Sequence, residues 1–286
     1  MTRFIEVNAT ECMTTTLLVF TDLDGTLLDH YSYDFSAASD ALNSLKTLGI
    51  PCVLNTSKTY AELLELRGAL RHKDPFIVEN GAAVYLPVNS RFDSTPEWTQ
   101  RGDYWVKAFG PDRQQLIATA KTMKSRFDFV GYHELTVEQL MKHTGLDAHT
   151  ATLSMEREFT EPLIWNDSNN ALAEFRGLMA EKGIKVQKGG RFVHLMGQDC
   201  DKAVAMKWLT ERYQNNTSDV VKSIALGDGE NDVEMISKAN IPVVVRSPVH
   251  VPPEIPNRND VWITDSYGPK GWSEAINQAL TNEGFI

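Results

Sequence analysis

Residues 16–26 read Thr-Leu-Leu-Val-Phe-Thr-Asp-Leu-Asp-Gly-Thr, and they decide how the residues around them fold. Leu17, Leu18, Val19 and Phe20 run without alternation, the mark of a strand buried on both faces. The run ends at Asp22. Ala38, Ala41, Leu42, Leu45 and Leu48 follow at helical spacing, and Gly49 with Pro51 stops that helix. Cys52 to Leu54 predicts a second strand, Thr59 to Leu70 a helix, and Phe76 to Val78 a third strand. Strand alternating with helix is the grammar of a doubly wound, mostly parallel α/β sheet.

The grammar breaks after Asn80-Gly81. Aromatic residues concentrate in Trp98, Trp105, Phe109, Phe127, Phe129 and Tyr132, between helices predicted at 112–126 and 136–143. A helix near 168–182 leads into Ile184–Gln187 and Phe192–Leu195, which Gly189-Gly190 separates as an antiparallel hairpin. The expected organisation is a core of residues 1–85 and 197–286, interrupted by an inserted α+β domain at 86–196. Beyond it the first pattern resumes, with a helix at 201–213, a strand at 223–226, a helix at 232–239 and a strand at 241–245. A strand at 261–264 and a helix from about Trp272 close the chain.

Composition narrows the function. The chain has 286 residues, 42% hydrophobic and 23% charged, enough to bury a sizeable core. Acidic residues number 38 against 28 Lys and Arg, a net charge of -10 that disfavours nucleic acid or an anionic membrane as partner. No apolar run approaches a membrane span, and no basic segment followed by an apolar one opens the chain, so a cytoplasmic protein is expected. Cys12, Cys52 and Cys200 are odd in number and far apart, which argues against a disulfide framework. Met13 is an alternative to Met1 as the start.

Chemistry gathers at the predicted strand ends, which in an open parallel sheet face the ligand crevice. In extended backbone alternate side chains share a side, so Asp22 and Asp24 can address one site across Leu23. One carboxylate can attack phosphorus while the other moves the proton; the plainer reading is an acidic turn. Gly227-Asp228-Gly229-Glu230-Asn231-Asp232 ends the later strand equivalently and supplies hard oxygen ligands of the kind Mg2+ prefers, with helix capping by Asn231 or Asp232 as the alternative. Two acidic clusters at two strand ends repel unless a cation lies between them. Thr56 and Ser57 close the second strand, where a hydroxyl can hold a phosphoryl oxygen or make an ST-turn. Lys202 follows Asp199-Cys200-Asp201 at a predicted helix start and suits a phosphate or a pair of aspartates.

In this order the four elements resemble the haloacid dehalogenase superfamily of aspartate-nucleophile phosphatases. The resemblance implies Asp22 as nucleophile and Asp24 as general acid/base. It implies Thr56, with Ser57, Lys202 and Asn231, around the phosphoryl group, and Mg2+ among Asp22, Asp24 and Asp228, with Asp232 at the metal or just behind it. The insertion resembles the type-2 cap of that superfamily.

A narrower resemblance, to the mannosyl-3-phosphoglycerate phosphatases, lies in Thr56-Ser57-Lys58-Thr59, Glu79-Asn80-Gly81-Ala82, Arg157-Glu158-Phe159-Thr160-Glu161-Pro162 and Gly189-Gly190-Arg191-Phe192-Val193-His194. Many relatives carry Arg where this chain has Lys58. Arg157 is a planar fork suited to a carboxylate, though it can instead pair with Glu161 at i,i+4. Glu158 or Glu161 can accept sugar hydroxyls, and Arg191 and His194 can add an anion contact. The expected activity is Mg2+-dependent hydrolysis of a small phosphorylated sugar conjugate, mannosyl- or glucosyl-3-phosphoglycerate. The alternatives are a phosphomannomutase-like phosphotransferase, a broad sugar phosphatase, and a metal-binding module without turnover.

Overall fold

The computed structural model describes residues 15–90, 92, 95–189 and 192–286. Cys12, Met13 and Arg191 therefore lie outside the described residues. In chain order the regular elements begin β1 (Thr15–Thr21), α1 (Ser39–Thr47), β2 (Cys52–Asn55), α2 (Tyr60–Leu70), β3 (Phe76–Val78), β4 (Ala83–Pro87), β5 (Thr99–Arg101) and β6 (Tyr104–Ala108). There follow α3 (Arg113–Lys121), β7 (Phe129–Gly131), α4 (Val137–Thr144), α5 (Ala148–Met155), β8 (Glu161–Trp165), α6 (Asn169–Ala180), β9 (Ile184–Gly189) and β10 (Phe192–Gly197). The last are α7 (Lys202–Gln214), β11 (Val220–Gly227), α8 (Val233–Lys238), β12 (Ile241–Arg246), β13 (Trp262–Tyr267) and α9 (Gly268–Asn282).

A nine-stranded sheet has the order β13-β12-β11-β1-β2-β3-β4-β6-β5, parallel from β13 to β3 and antiparallel beyond. The apolar run of β1 is buried on both faces, as an unbroken hydrophobic strand requires. Leu17 and Val19 pack with α1 and α9, and Leu18 and Phe20 with α7. The chain winds one way from β1 to β2 and the other way back to β11, so β1 is the switch point where such sheets hold ligands. Register completes the placement. Thr21 pairs with Leu226 on one side and Leu54 on the other, which sets Asp22, Asp228 and Thr56 at one level beyond the strand ends.

A second, antiparallel sheet, β7-β8-β10-β9, has its own core of Leu116, Phe129, Leu163, Phe175, Leu195 and neighbours. An insertion starting at residue 86 is not what the large sheet shows. β4 pairs antiparallel with β6, and β5 adds beyond it, so residues 99–108 extend the first sheet and the second sheet's strands begin only at β7. Trp98 and Phe109 pack edge-on against Trp208 of α7, with ring centroids 5.6 and 5.9 Å apart. The aromatic cluster thus serves the first sheet as well as the second. The last helix starts at Gly268, four residues before Trp272, because Pro269 fits the first turn of a helix. None of the described helices is long and apolar enough to cross a membrane.

Candidate active site

Asp22 is the first residue beyond β1, and its N–H donates to the Leu226 carbonyl at 2.9 Å. The chain then folds back through Gly25, at φ +81. A Cβ at Gly25 would lie 2.6 Å from Asp228 Oδ2, so only glycine lets this turn approach the second acidic loop. Thr26 Oγ1 donates to Asp228 Oδ1 at 3.1 Å, joining the two loops. On the far side Asp201 caps α7 and places Lys202 in its first turn. The buried Lys202 Nζ reaches Asp22 Oδ1 at 2.6 Å and Asp232 Oδ1 at 2.7 Å. The other oxygen of Asp232 accepts the N–H groups of Asp228 and Gly229 at 3.2 and 3.1 Å. Both oxygens of Asp232 are therefore engaged in holding Lys202 and the loop, while Asp228 presents Oδ1 to Thr26 and Oδ2 to His250 Nε2, 3.2 Å away.

Charge around this site is unbalanced. Asp22, Asp228 and Asp232 are buried, with ligand oxygens all within 4.8 Å of one another. Burial drives the Asp22 carboxyl up; Lys202 pulls it down, but the neighbouring aspartates push it up again, so without a further cation it is held above the usual carboxylate range. Asp228 is also raised, by burial and then by Asp232. Burial disfavours the Lys202 ammonium, yet its two carboxylates outweigh that and hold it firmly protonated. One buried cation thus faces three buried carboxylates. A second cation among hard oxygen donors would remove the deficit, which is the setting in which Mg2+ binds. The residues present fit such an ion.

Asp24 points a different way. Its Oδ2 pairs with Lys58 Nζ at 2.9 Å, and its Oδ1 is buried without a partner. Burial opposes the Lys58 charge, but Asp24 and Glu62 more than restore it. Thr56 is buried, and its Oγ1 accepts the Lys58 N–H at 3.2 Å. The hydroxyl thus makes the ST-type turn, one of the two readings of this loop.

A cavity of about 330 Å³ is lined by Ser57, Asn80, Glu230 and Asn231 from the first sheet's loops and by Arg157, Gln187, Lys188, His194 and Met196 from the second unit. A smaller space of about 160 Å³ continues along Asn80 and Asn231 to Lys202. Both Nη atoms of Arg157 donate to the Ser57 carbonyl at 3.4 Å, and Nη1 also donates to Thr160 Oγ1 at 3.0 Å. Arg157 Nε and His194 Nδ1 are buried without partners among the described residues. Burial, and then the charge of Arg157, holds the His194 imidazole down at about 4, so it is neutral at pH 7.

The sequence profile of the haloacid dehalogenase-like hydrolases matches residues 19–250, which span every element of this site. The chain belongs to that family. It is 35% identical to a glucosyl-3-phosphoglycerate/mannosyl-3-phosphoglycerate phosphatase of Persephonella marina over 91% of its own length and 96% of the relative's. A phosphatase of the same description from Methanococcoides burtonii is 36% identical over 91% and 95%. Among solved structures, a phosphatase of the superfamily from Bacteroides thetaiotaomicron aligns with a TM-score of 0.65 at 20% identity, covering 97% of this chain and 98% of its own. A subclass IIB sugar phosphatase aligns with 0.62 at 16% identity over 95% and 100%. These structural likenesses speak for the fold.

In this haloacid dehalogenase-like hydrolase the residues expected from sequence separate into two groups. Asp22, Lys202, Asp228 and Asp232 converge at the strand ends, Thr56 follows the end of the neighbouring β2, and Ser57 and Asn231 line the cavity. Of the second unit's candidates, Arg157 and His194 reach the cavity, but Glu158 and Glu161 do not line it. Glu158 pairs with Arg101. Glu161 is fully buried between Arg113 Nε at 2.6 Å and the N–H and Nδ1 of His133 at 3.0 and 2.8 Å. The i,i+4 pair of Arg157 with Glu161 does not form; the carboxylate next to Arg157 is Glu79, at 3.8 Å. Sequence reading also missed His250, whose Nε2 lies 3.2 Å from Asp228 Oδ2. Nothing in its Pro-Val-His-Val context marks it.

Proposed function

We propose that this hydrolase removes the phosphoryl group of glucosyl- or mannosyl-3-phosphoglycerate through an aspartyl phosphate on Asp22, with Mg2+ as cofactor. The observation that carries the reading is a buried aspartate at the switch point of the sheet, paired with Lys202, which lines a space that shares Asn80 and Asn231 with the cavity of Arg157 and His194. The two relatives described above, named for these conjugates, support the substrate class.

A carboxylate oxygen of Asp22 attacks phosphorus, the bond to the glycerate oxygen breaks, and Asp24 gives that oxygen its proton. Asp24 then takes a proton from water, whose oxygen attacks phosphorus; the Asp22–phosphorus bond breaks and inorganic phosphate leaves. Lys58 holds Asp24 in place for both transfers. Thr56, Lys202 and Asn231 surround the phosphoryl oxygens with donors that need no rearrangement. Asp22, the Asp24 carbonyl and Asp228 would hold the Mg2+, which supplies positive charge against the transferring group. Asp232 fixes Lys202 behind them. Arg157 Nε and the neutral His194 read the glycerate carboxylate, and Gln187, Lys188 and Asn80 face the sugar.

Phosphate release tests this over a panel of sugar phosphates and glycosyl phosphoglycerates, with Mg2+ and after EDTA. The conjugates should be the best substrates, chelation should stop turnover, and Mg2+ should restore it. A rearranged sugar phosphate in place of free phosphate would make the enzyme a mutase, and full activity in chelator would remove the metal.

A further inference from the structure

Glu79 has no part in the chemistry above, yet it occupies an improbable place. Glu79, Asn80 and Gly81 are three consecutive residues in the left-handed region, at φ +50, +59 and +88. The first two carry side chains, so this backbone is strained and must be held by its surroundings. The surroundings are the catalytic loops themselves. Glu79 N donates to the Lys58 carbonyl at 3.0 Å, and Asn80 N donates to the Thr56 carbonyl at 2.8 Å. Gly81 packs so closely on the start of α7 that a Cβ there would lie 2.1 Å from the Asp201 carbonyl.

From this anchored loop the fully buried Glu79 carboxylate reaches the second unit. It accepts Glu158 N at 2.8 Å, Phe159 N at 3.2 Å and Thr160 Oγ1 at 2.5 Å. Arg157 Nη1, 3.8 Å away, is too distant for a hydrogen bond to it. Glu79 therefore acts on Arg157 through Thr160, whose hydroxyl accepts from Arg157, and through the backbone of residues 158 and 159. The donors of Arg157 so fixed are the Nη pair, and Nε is the atom left without a partner.

We infer that Glu79 is a positioning residue for substrate recognition: its carboxylate fixes Arg157 at a set distance from the phosphoryl site, so that the enzyme selects phosphomonoesters carrying a carboxylate at a matching span. The inference rests on the substrate reading proposed above. One loop touches the backbone at Thr56, the start of α7 beside Lys202, and the segment bearing Arg157, so the span between phosphate and carboxylate is set by few covalent links.

Steady-state kinetics on glucosyl- and mannosyl-3-phosphoglycerate test it, with p-nitrophenyl phosphate as the substrate lacking a carboxylate. Glu79→Gln keeps the shape and removes the charge. It should raise KM for the conjugates by roughly tenfold while kcat changes by less than about threefold, the pattern of a lost binding contact. Added to Arg157→Ala it should cost no more than about a further twofold, because both changes remove one coupled contact. Thr160→Val should act in the same direction more weakly, and it decides the matter if Glu79→Gln does not fold. Additive losses in the double variant would overturn the inference alone, as would equal falls in kcat on all three substrates. A wild-type enzyme that cleaves p-nitrophenyl phosphate and neither conjugate would overturn the substrate reading, and this inference with it.

Discussion

The strand-end site and the neighbouring cavity are built on opposite rules. At the strand ends internal partners fix the groups, although negative charge is left over for a cation: Lys202 is bound by two carboxylates, and Asp232 has both oxygens engaged. Beside the cavity, Arg157 Nε and His194 Nδ1 are buried and unpaired, a state that costs stability unless a ligand relieves it. A satisfied network holds its geometry before substrate arrives, which is what stabilising a transition state requires. Unpaired donors instead discriminate, because the molecule that completes them is rewarded and others are not. The division is not absolute, because Asn55 Oδ1 at the end of β2 is buried without a partner among the described residues. Asp24 Oδ1 is also buried without a partner, on the carboxylate assigned the proton transfers.

If that division holds, the largest effect must come from the satisfied side and must ignore substrate identity. Asp22→Asn preserves shape and an acceptor for Lys202 but is a poor nucleophile. Turnover should fall on the order of 10⁴-fold or more on every phosphomonoester, with the fold intact by circular dichroism. Folded variant protein that still releases phosphate at the wild-type rate would end the covalent mechanism.

The same division explains what could be read from the sequence. Asp22, Asp24 and Asp228 were legible because each sits in a short contiguous motif at a strand end, and parallel register brings strand ends together; Lys202 was legible from the helix start that follows Asp201. The run 17–20 gave β1 for the same local reason. Glu79 resisted, since its partners lie about eighty residues on and only the tertiary fold unites them. Glu161 misled in the opposite sense: four residues from Arg157, it turns away into a buried pair with Arg113 and His133. Strand β5 is Thr-Gln-Arg, with no apolar residue to announce it, and it takes its place from backbone pairing with β6. Residues 99–108 thus join the first sheet without any local signal that places them there.

A smaller effect should come from the cavity, and it should depend on substrate. Arg157→Ala removes a charged donor whose Nη atoms are already committed to Ser57 and Thr160, so the expected loss is that of one charge-assisted contact. That is about 1.5–3 kcal/mol, or roughly ten- to a hundredfold in kcat/KM on a phosphoglycerate conjugate. Hydrolysis of p-nitrophenyl phosphate should fall far less. Equal losses on both would show that Arg157 matters through the Ser57 carbonyl rather than through a substrate carboxylate, and the contrast between the two regions would collapse.

The smallest effect concerns the burial of His194, and it is read in stability. Burial and then Arg157 hold its imidazole at about 4 in the folded chain, against roughly 6.5 when unfolded. Between those values the unfolded chain binds a proton that the folded chain refuses, so acid favours unfolding. The contribution is fully present above the unfolded value and is lost as pH falls through the window toward 4. At pH 5.5 the loss from this one group is on the order of 1 kcal/mol. His72, held at about 3 by burial and then by Arg67, acts in the same direction and extends the window lower. Melting temperature should therefore decline between pH 7 and pH 5, and His194→Gln should flatten part of that slope while His72 keeps the remainder. Because His194 stays neutral over this range, its contact with substrate should show no titration of its own between pH 5.5 and 8. An unaltered slope in His194→Gln would mean that water reaches the ring freely, and a wet cavity would leave no unpaired donors to do the selecting.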